Sequence, residues 1–227
     1  MKSTVQEDYE FRVYPNAKSP KIFKYPILEV LTKTRLWIIA VLYSIVALCL
    51  LYVFVSHFSG TVPQALLYFA IGFFSWTLGE YLLHRFLYHK LKDASYDSGI
   101  QYLFHGIHHK YPSDDDRIIL PPVPGLLIAS ILMGIFYLIM GRIAFAFGPG
   151  FLIGYLVYIS IHWMVHSKPS PKKFDFWWRH HNIHHYQQHD RAFGVSTPIW
   201  DIVFRTMPEK GRKTITILTA DKHTNNN

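Results

Sequence analysis

The chain has 227 residues, of which half are hydrophobic and only 17% charged, with a formal net charge of +8 and one cysteine. That length fits one sizeable domain rather than two. The composition excludes a disordered chain, and a lone Cys49 excludes both a disulfide framework and a thiolate metal site.

Taken in chain order, residues 1–35 form a polar, cationic lead-in. Leu36 to Phe58 carries no Asp, Glu, Lys or Arg and has the length of a bilayer-spanning helix. It is too long for a signal-peptide core and is read as retained. Val62 to Leu83 is a second apolar run, interrupted only by Glu80. Pro121 to Met140 is a third and Ala144 to Val165 a fourth. Four such runs would overfill a soluble core of this size. The sequence therefore predicts an all-α integral membrane protein with four transmembrane helices and a cytosolic helical cap that holds a histidine-rich dinuclear metal site, with a cytosolic segment over 1–35, a membrane domain over 36–208 and a tail over 209–227.

Charge sets the orientation. Lys2, Arg12, Lys18, Lys21, Lys24, Lys33 and Arg35 precede the first run. Arg85, Lys90, Lys92, Lys110 and Arg117 lie between the second and third. The rest follow the fourth, and of the 23 lysines and arginines only Arg142 falls in a loop on the other side. The positive-inside rule assigns the crowded side to the cytosol. The positive charge is thus topogenic and headgroup-facing, and no nucleic-acid module accompanies it.

The histidines obey the same topology. His84 and His89 leave the second run in "HRFLYH". His105, His108 and His109 follow in "HGIHH", His162 and His166 close the fourth run in "HWMVH", and His181, His184 and His185 follow in "RHHNIHH". The two H-x-x-H-H boxes place three imidazoles on one helical face, and i, i+4 does the same for His162 and His166. His84 and His89 are five apart and need a helix end or a distortion to converge. Ten imidazoles exceed one tetrahedral site and suit two metals with about five nitrogens each. His180 points off its box's face and is read as a non-ligand; His189 is read as surface, with a supporting place behind the ligands as its alternative. His57, at the far end of the first run, is read as interfacial, and His223 belongs to a polar tail. Glu80 is either an orienting group for His84 or a snorkelling side chain. Asp114, Asp115 and Asp116 read as a solvated loop, with a helix cap or a contact to a polar headgroup as alternatives. Phe73, Phe74, Trp76, Tyr102 and Phe104 either line a lipid path or pack the bundle.

All-imidazole donor sets favour redox chemistry over hydrolysis, because dinuclear hydrolases bridge their metals with carboxylates. Iron is expected at work, and zinc, higher in the affinity order, can take the same pockets. The substrate expected at the membrane edge is a lipid. A metal transporter or pH sensor is the non-enzymatic alternative.

The boxes resemble the fatty acid hydroxylase superfamily, which includes sterol desaturases and carotenoid hydroxylases. "HGIHHKYPSDDDRIILPPVP", "HHNIHHYQQHDRAFGVSTPIWDIVFRT" and the lead-in "LEVLTKTRLW" are similar to the fatty acid 2-hydroxylases within it. The resemblance covers roughly residues 20–208. It implies O₂-dependent hydroxylation at C2 of a fatty acyl chain, free or in a ceramide. Electrons would come from NAD(P)H through a cytochrome b5-type donor and its reductase. It also implies one metal held by His84, His89, His105, His109 and His184, and a second by His108, His162, His166, His181 and His185. No haem-binding His-Pro-Gly-Gly signature is present, so a separate donor protein is expected. The membrane is expected to be the endoplasmic reticulum or a bacterial inner membrane. A sterol or carotenoid oxidase is the alternative on the same scaffold.

Overall fold

The computed structural model describes residues 9–89, 99, 101–212 and 215–219. Lys2, Lys90, Lys92, Lys213, Lys222 and His223 lie outside the described residues, as do the side chains of Arg12 and Phe104. The described residues fall into two compact units, one within 1–20, 81–118 and 164–227, the other within 21–80 and 119–163.

The second unit opens with the short helix α1 (Pro26–Val30), fastened by Glu29, whose carboxylate accepts from the amides of Ile22 and Phe23 at 2.9 and 3.2 Å. Helices α2 (Leu36–Ser56), α3 (Val62–Leu82), α5 (Pro122–Met140) and α6 (Ala144–Ser167) coincide closely with the four apolar runs; the short α4 is described below. On α2, Ile39, Tyr43, Ala47 and Phe54 are buried, while Trp37, Val41, Ile45, Leu48 and Tyr52 are exposed along the opposite face. A water-soluble helix would not expose such a stripe. Three continuous helical stretches are long and apolar enough to cross a membrane: Leu36–Ser56, Val62–Tyr88 and Pro122–Ser167. The chain is a membrane protein.

The third stretch is a hairpin. α5 stops at Met140, Gly141 takes φ 57°, and a 3₁₀ turn over Gly141–Ile143 leads into α6. Phe136 then meets Phe147 and Phe151 at 4.9 and 5.2 Å, and Tyr137 meets Phe145 at 5.9 Å. Arg142 reaches back to the carbonyl of Phe58 at 3.3 Å, so the two short connections lie at one end of this unit. α3 and α6 pack backbone to backbone: a Cβ on Gly150 would stand 1.9 Å from the Phe69 carbonyl oxygen. A small residue at that crossing is how membrane helices approach closely.

The first unit is helical with one addition to the expected all-α architecture. Strands β1 (Tyr9–Val13) and β2 (Ile215–Thr219) form a two-stranded parallel ladder, with Tyr9 opposite Ile215 and Val13 opposite Thr219. The run "ITILT" is rich in β-branched residues, which favour a pleated strand. Its partner lies about two hundred residues away, beyond the reach of a local pattern. Next to β1, the Tyr14 amide donates to the Lys110 carbonyl at 2.8 Å, and the Tyr14 ring stacks on Tyr111.

Candidate metal centre

The helix distortion that His84 and His89 need is present. α3 passes into a π-helical turn, Leu83–Tyr88, and the His89 amide donates to the His84 carbonyl five residues back at 3.3 Å. The wider turn brings residues five apart onto one side, as π-bulges at functional sites do. The two Nε2 atoms lie 3.2 Å apart. A second π-helical turn, Tyr102–Gly106, carries His105 and runs into α4 (Ile107–Lys110), which carries His108 and His109. His162 and His166 lie one turn apart on α6. His181, His184 and His185 lie on α7 (Phe176–Tyr186).

All ten imidazoles converge in two groups of five. His84, His89, His105, His109 and His184 form one; His108, His162, His166, His181 and His185 form the other. Within each group the nitrogens lie within 4.8 Å of one another. These are the same two sets that the sequence resemblance implies. Each H-x-x-H-H box is divided between them. At a helix step of about 100°, i+4 lies about 40° to one side of i and i+3 about 60° to the other, so the two edges of one face on α4 and on α7 serve different groups. His109 and His185, one from each group, stack with ring centroids 4.0 Å apart.

The spacing fits metal ligation better than hydrogen bonding. Nε2–Nε2 separations are 3.0 Å for His84–His105, 2.9 Å for His105–His109 and 3.0 Å for His89–His184. In the second group they are 3.1 Å for His108–His166 and 2.9 Å for His166–His181. Two nitrogens about 2.1 Å from one ion at a right angle are about 3.0 Å apart. The protons point the same way. His84 Nδ1 lies 2.6 Å from the Phe193 carbonyl, and His184 Nδ1 lies 2.6 Å from the Arg191 carbonyl. A carbonyl only accepts, so both Nδ1 atoms carry hydrogen and both Nε2 atoms are bare lone pairs in the neutral rings. His89 Nε2 faces both bare nitrogens, and one N–H cannot point along two directions. A cation at the shared focus accepts all of these lone pairs at once.

Burial keeps the rings neutral. His89, His109, His184 and His185 are held well below the usual histidine range, first by loss of water and then by neighbouring imidazoles. Neutral imidazole is the ligating form.

Residues 69–206 match the family model described as Fatty acid hydroxylase. The chain belongs to the fatty acid hydroxylase family. Among its relatives, "Dihydroceramide fatty acyl 2-hydroxylase FAH2" of Arabidopsis thaliana is 33% identical over 193 residues, covering 84% of this chain and 81% of that protein. "Fatty acid 2-hydroxylase" of Homo sapiens is 38% identical over 173 residues, 69% of this chain and 44% of the human protein. The chain therefore matches less than half of the human relative's length. A solved structure described as full-length scs7p, with only the hydroxylase domain visible, superposes with a TM-score of 0.71 at 30% identity. That match covers 82% of this chain and 72% of the other.

Around the fatty acid hydroxylase histidines, several side chains differ from their sequence reading. His189 is half-buried beside the groups rather than fully on the surface: its ring lies 4.8 Å from His109, its Nε2 donates to the His185 carbonyl at 2.9 Å, and burial lowers its pKa to about 4. It follows its box on the turn that leaves α7, where helical periodicity no longer applies. His180 belongs to neither group; it is buried against Phe176, with Nε2 3.2 Å from the Asp201 carboxylate. Asp114 is not solvated. It is 3% exposed and accepts from the Ser19 amide at 3.1 Å and from the Ser19 hydroxyl. Asp115 accepts from Ser167 at 2.6 Å, and Asp116 pairs with Lys18. Glu80 is buried, and His57 is exposed at the end of α2. Trp76 packs on Phe151, Tyr155 and Tyr158, which is bundle packing; Phe73 meets Phe74 edge to face, and Phe74 is exposed. Tyr102 is half-buried. The sequence did not point to the Phe193 and Arg191 carbonyls, because a backbone acceptor has no residue signature. Nor did it point to Gln188, which is 1% exposed and bonds the backbone of Glu209 and Arg212.

Proposed function

We propose that this chain is a membrane-bound fatty acid 2-hydroxylase. It converts the C2–H bond of a fatty acyl chain, free or in a ceramide, to C2–OH. One atom of O₂ enters the product, and the other leaves as water with two electrons and two protons. The observation that carries this reading is the pair of buried, all-imidazole groups in a chain of the fatty acid hydroxylase family. Two iron ions, held one in each group, would supply the redox chemistry that these side chains lack. Zinc fits the same nitrogen sets and is expected in protein purified without added iron.

The chain's own residues hold and orient. The Phe193 and Arg191 carbonyls fix the tautomers of His84 and His184. Among the described residues both groups are made of imidazoles alone, a donor set that favours oxidation over hydrolysis. The 46-residue stretch Pro122–Ser167 is proposed to cross the membrane twice. At 1.5 Å per residue it would be about 70 Å long if straight, more than twice a bilayer core of about 30 Å. With α2 and α3 this gives four spans. The excess of Lys and Arg after α3 and α6 supports an orientation with the histidine groups on the cytosolic side of the endoplasmic reticulum or a bacterial inner membrane. A cytochrome b5-type protein and its reductase are the proposed electron source, and the cationic side offers an acidic donor a complementary surface.

The test is mass spectrometry of hydrolysed lipids from cells that contain ceramides and a cytochrome b5 system. Cells expressing the wild type should accumulate 2-hydroxy acyl chains; cells expressing His184→Ala at equal level should not. Wild-type protein that carries metal and yields no 2-hydroxy product would refute the reaction.

A further inference from the structure

Asp201 lies at the start of α8 (Ile199–Val203) with no exposed surface. Its two oxygens receive four donors from separate places in the unit. The Phe193 amide lies 3.0 Å from Oδ1 and the Gly194 amide 2.8 Å from Oδ2. The Thr206 hydroxyl lies 2.7 Å from Oδ1, and His180 Nε2 lies 3.2 Å from Oδ2.

The hydroxyl bonds around it have a fixed direction. Arg85 can only donate, and its guanidinium lies 2.7 Å from the Tyr81 hydroxyl. Tyr81 therefore has its own proton for Thr206, 2.9 Å away. Thr206 in turn has its proton for Asp201. The order Arg85 → Tyr81 → Thr206 → Asp201 links a cation to a buried carboxylate through two hydroxyls. The Tyr81 ring is fully buried, and Thr206 is nearly so.

We propose that Asp201 is a positioning residue for the metal group that contains His84, an inference that rests on the metal reading above. By gripping the amides on both sides of the Phe193 carbonyl, Asp201 fixes that carbonyl, which holds Nδ1–H of His84 at 2.6 Å. His84 thus presents Nε2, not Nδ1, to its four partners. Orienting contacts of this kind are worth about 10–100-fold in metal affinity. In Asp201→Asn, one oxygen becomes an NH₂ group and opposes a donor, so the grip on the carbonyl is lost while the volume is kept.

The experiment is a zinc titration of the full chain in detergent, stripped of metal and read by competition with a fluorescent chelator. It compares the wild type, Asp201→Asn, His84→Ala and the double variant. The wild type should take two tight ions. Asp201→Asn should weaken one of them about 10–100-fold, and it should be the ion that His84→Ala abolishes. In the double variant, the remaining ion should bind as in His84→Ala. Unchanged affinity for both ions, or an equal fall in both, would overturn the inference. If Asp201→Asn does not fold, Thr206→Val decides by the same criterion, with a smaller selective loss expected. A wild type that binds no zinc would overturn the metal reading itself, and this inference with it.

Discussion

Replacing Asp114 by alanine should damage the fold although no metal ligand is touched. The carboxylate holds Ser19 through its amide and hydroxyl and lies 3.9 Å from the Arg117 guanidinium. Arg117 also donates to the Ser19 hydroxyl and, at 3.0 Å, to the Pro20 carbonyl, and is 7% exposed. At an effective dielectric constant of about 20, two unit charges at this separation attract by about 4 kcal/mol. Removing one member of a buried pair costs about 3–5 kcal/mol, because the remaining charge loses that partner in the interior. For a chain of this size each kcal/mol lowers the melting temperature by about 2–4 °C, so Asp114→Ala should melt roughly 10 °C below the wild type. Asp114→Ala combined with Arg117→Met removes both charges and should recover at least half of that loss. Differential scanning fluorimetry in detergent measures both. A shift below about 2 °C for Asp114→Ala, or a double variant as unstable as the sum of the singles, would refute the account.

Acid should act on the histidine groups. Burial depresses the folded-state pKa of His89, His109, His184 and His185 below the unfolded value of about 6.5. Their neutral forms therefore stabilise the fold fully above about pH 6.5, and that contribution is lost as the pH falls. Melting temperature and bound metal should be level between pH 7 and 8 and decline together below 6.5; a protein more stable at pH 5.5 than at 7.5 would contradict this. Gly150→Val should prevent α3 and α6 from meeting, because even its Cβ would overlap the Phe69 carbonyl. The expected result is a loss of about 3 kcal/mol or more and little monodisperse protein by size-exclusion chromatography; wild-type yield and melting would refute the packing. Gln188→Leu removes three hydrogen bonds of 2.7, 2.8 and 2.9 Å to the Glu209 and Arg212 backbone. At about 1 kcal/mol each, urea or thermal unfolding should report a loss near 3 kcal/mol, and a change under 1 kcal/mol would be contrary evidence.

The helices were legible because membrane burial writes long apolar runs, and α2, α5 and α6 begin within a residue of where those runs begin. The histidine boxes were legible because i, i+3, i+4 spacing is a local property. What escaped depends on distant partners. Asp114 meets Ser19 across 95 positions, and Tyr81 meets Thr206 across 125. Nothing near Asp114 in "PSDDDR" distinguishes the buried aspartate from Asp115 and Asp116 beside it. His84 and His89 announced only that a regular helix would fail them. That a π-helical turn answers the need depends on the backbone.

The division of each H-x-x-H-H box between two groups has a mechanical consequence. α7 lends His184 to one group and His181 and His185 to the other, so a small roll of that helix about its axis moves imidazoles of both groups at once. Neither centre can be retuned alone by shifting this helix. One inserted residue ahead of His184 would turn His184 and His185 by about 100° relative to His181 and break both sets together. The two groups are therefore mechanically coupled through α7.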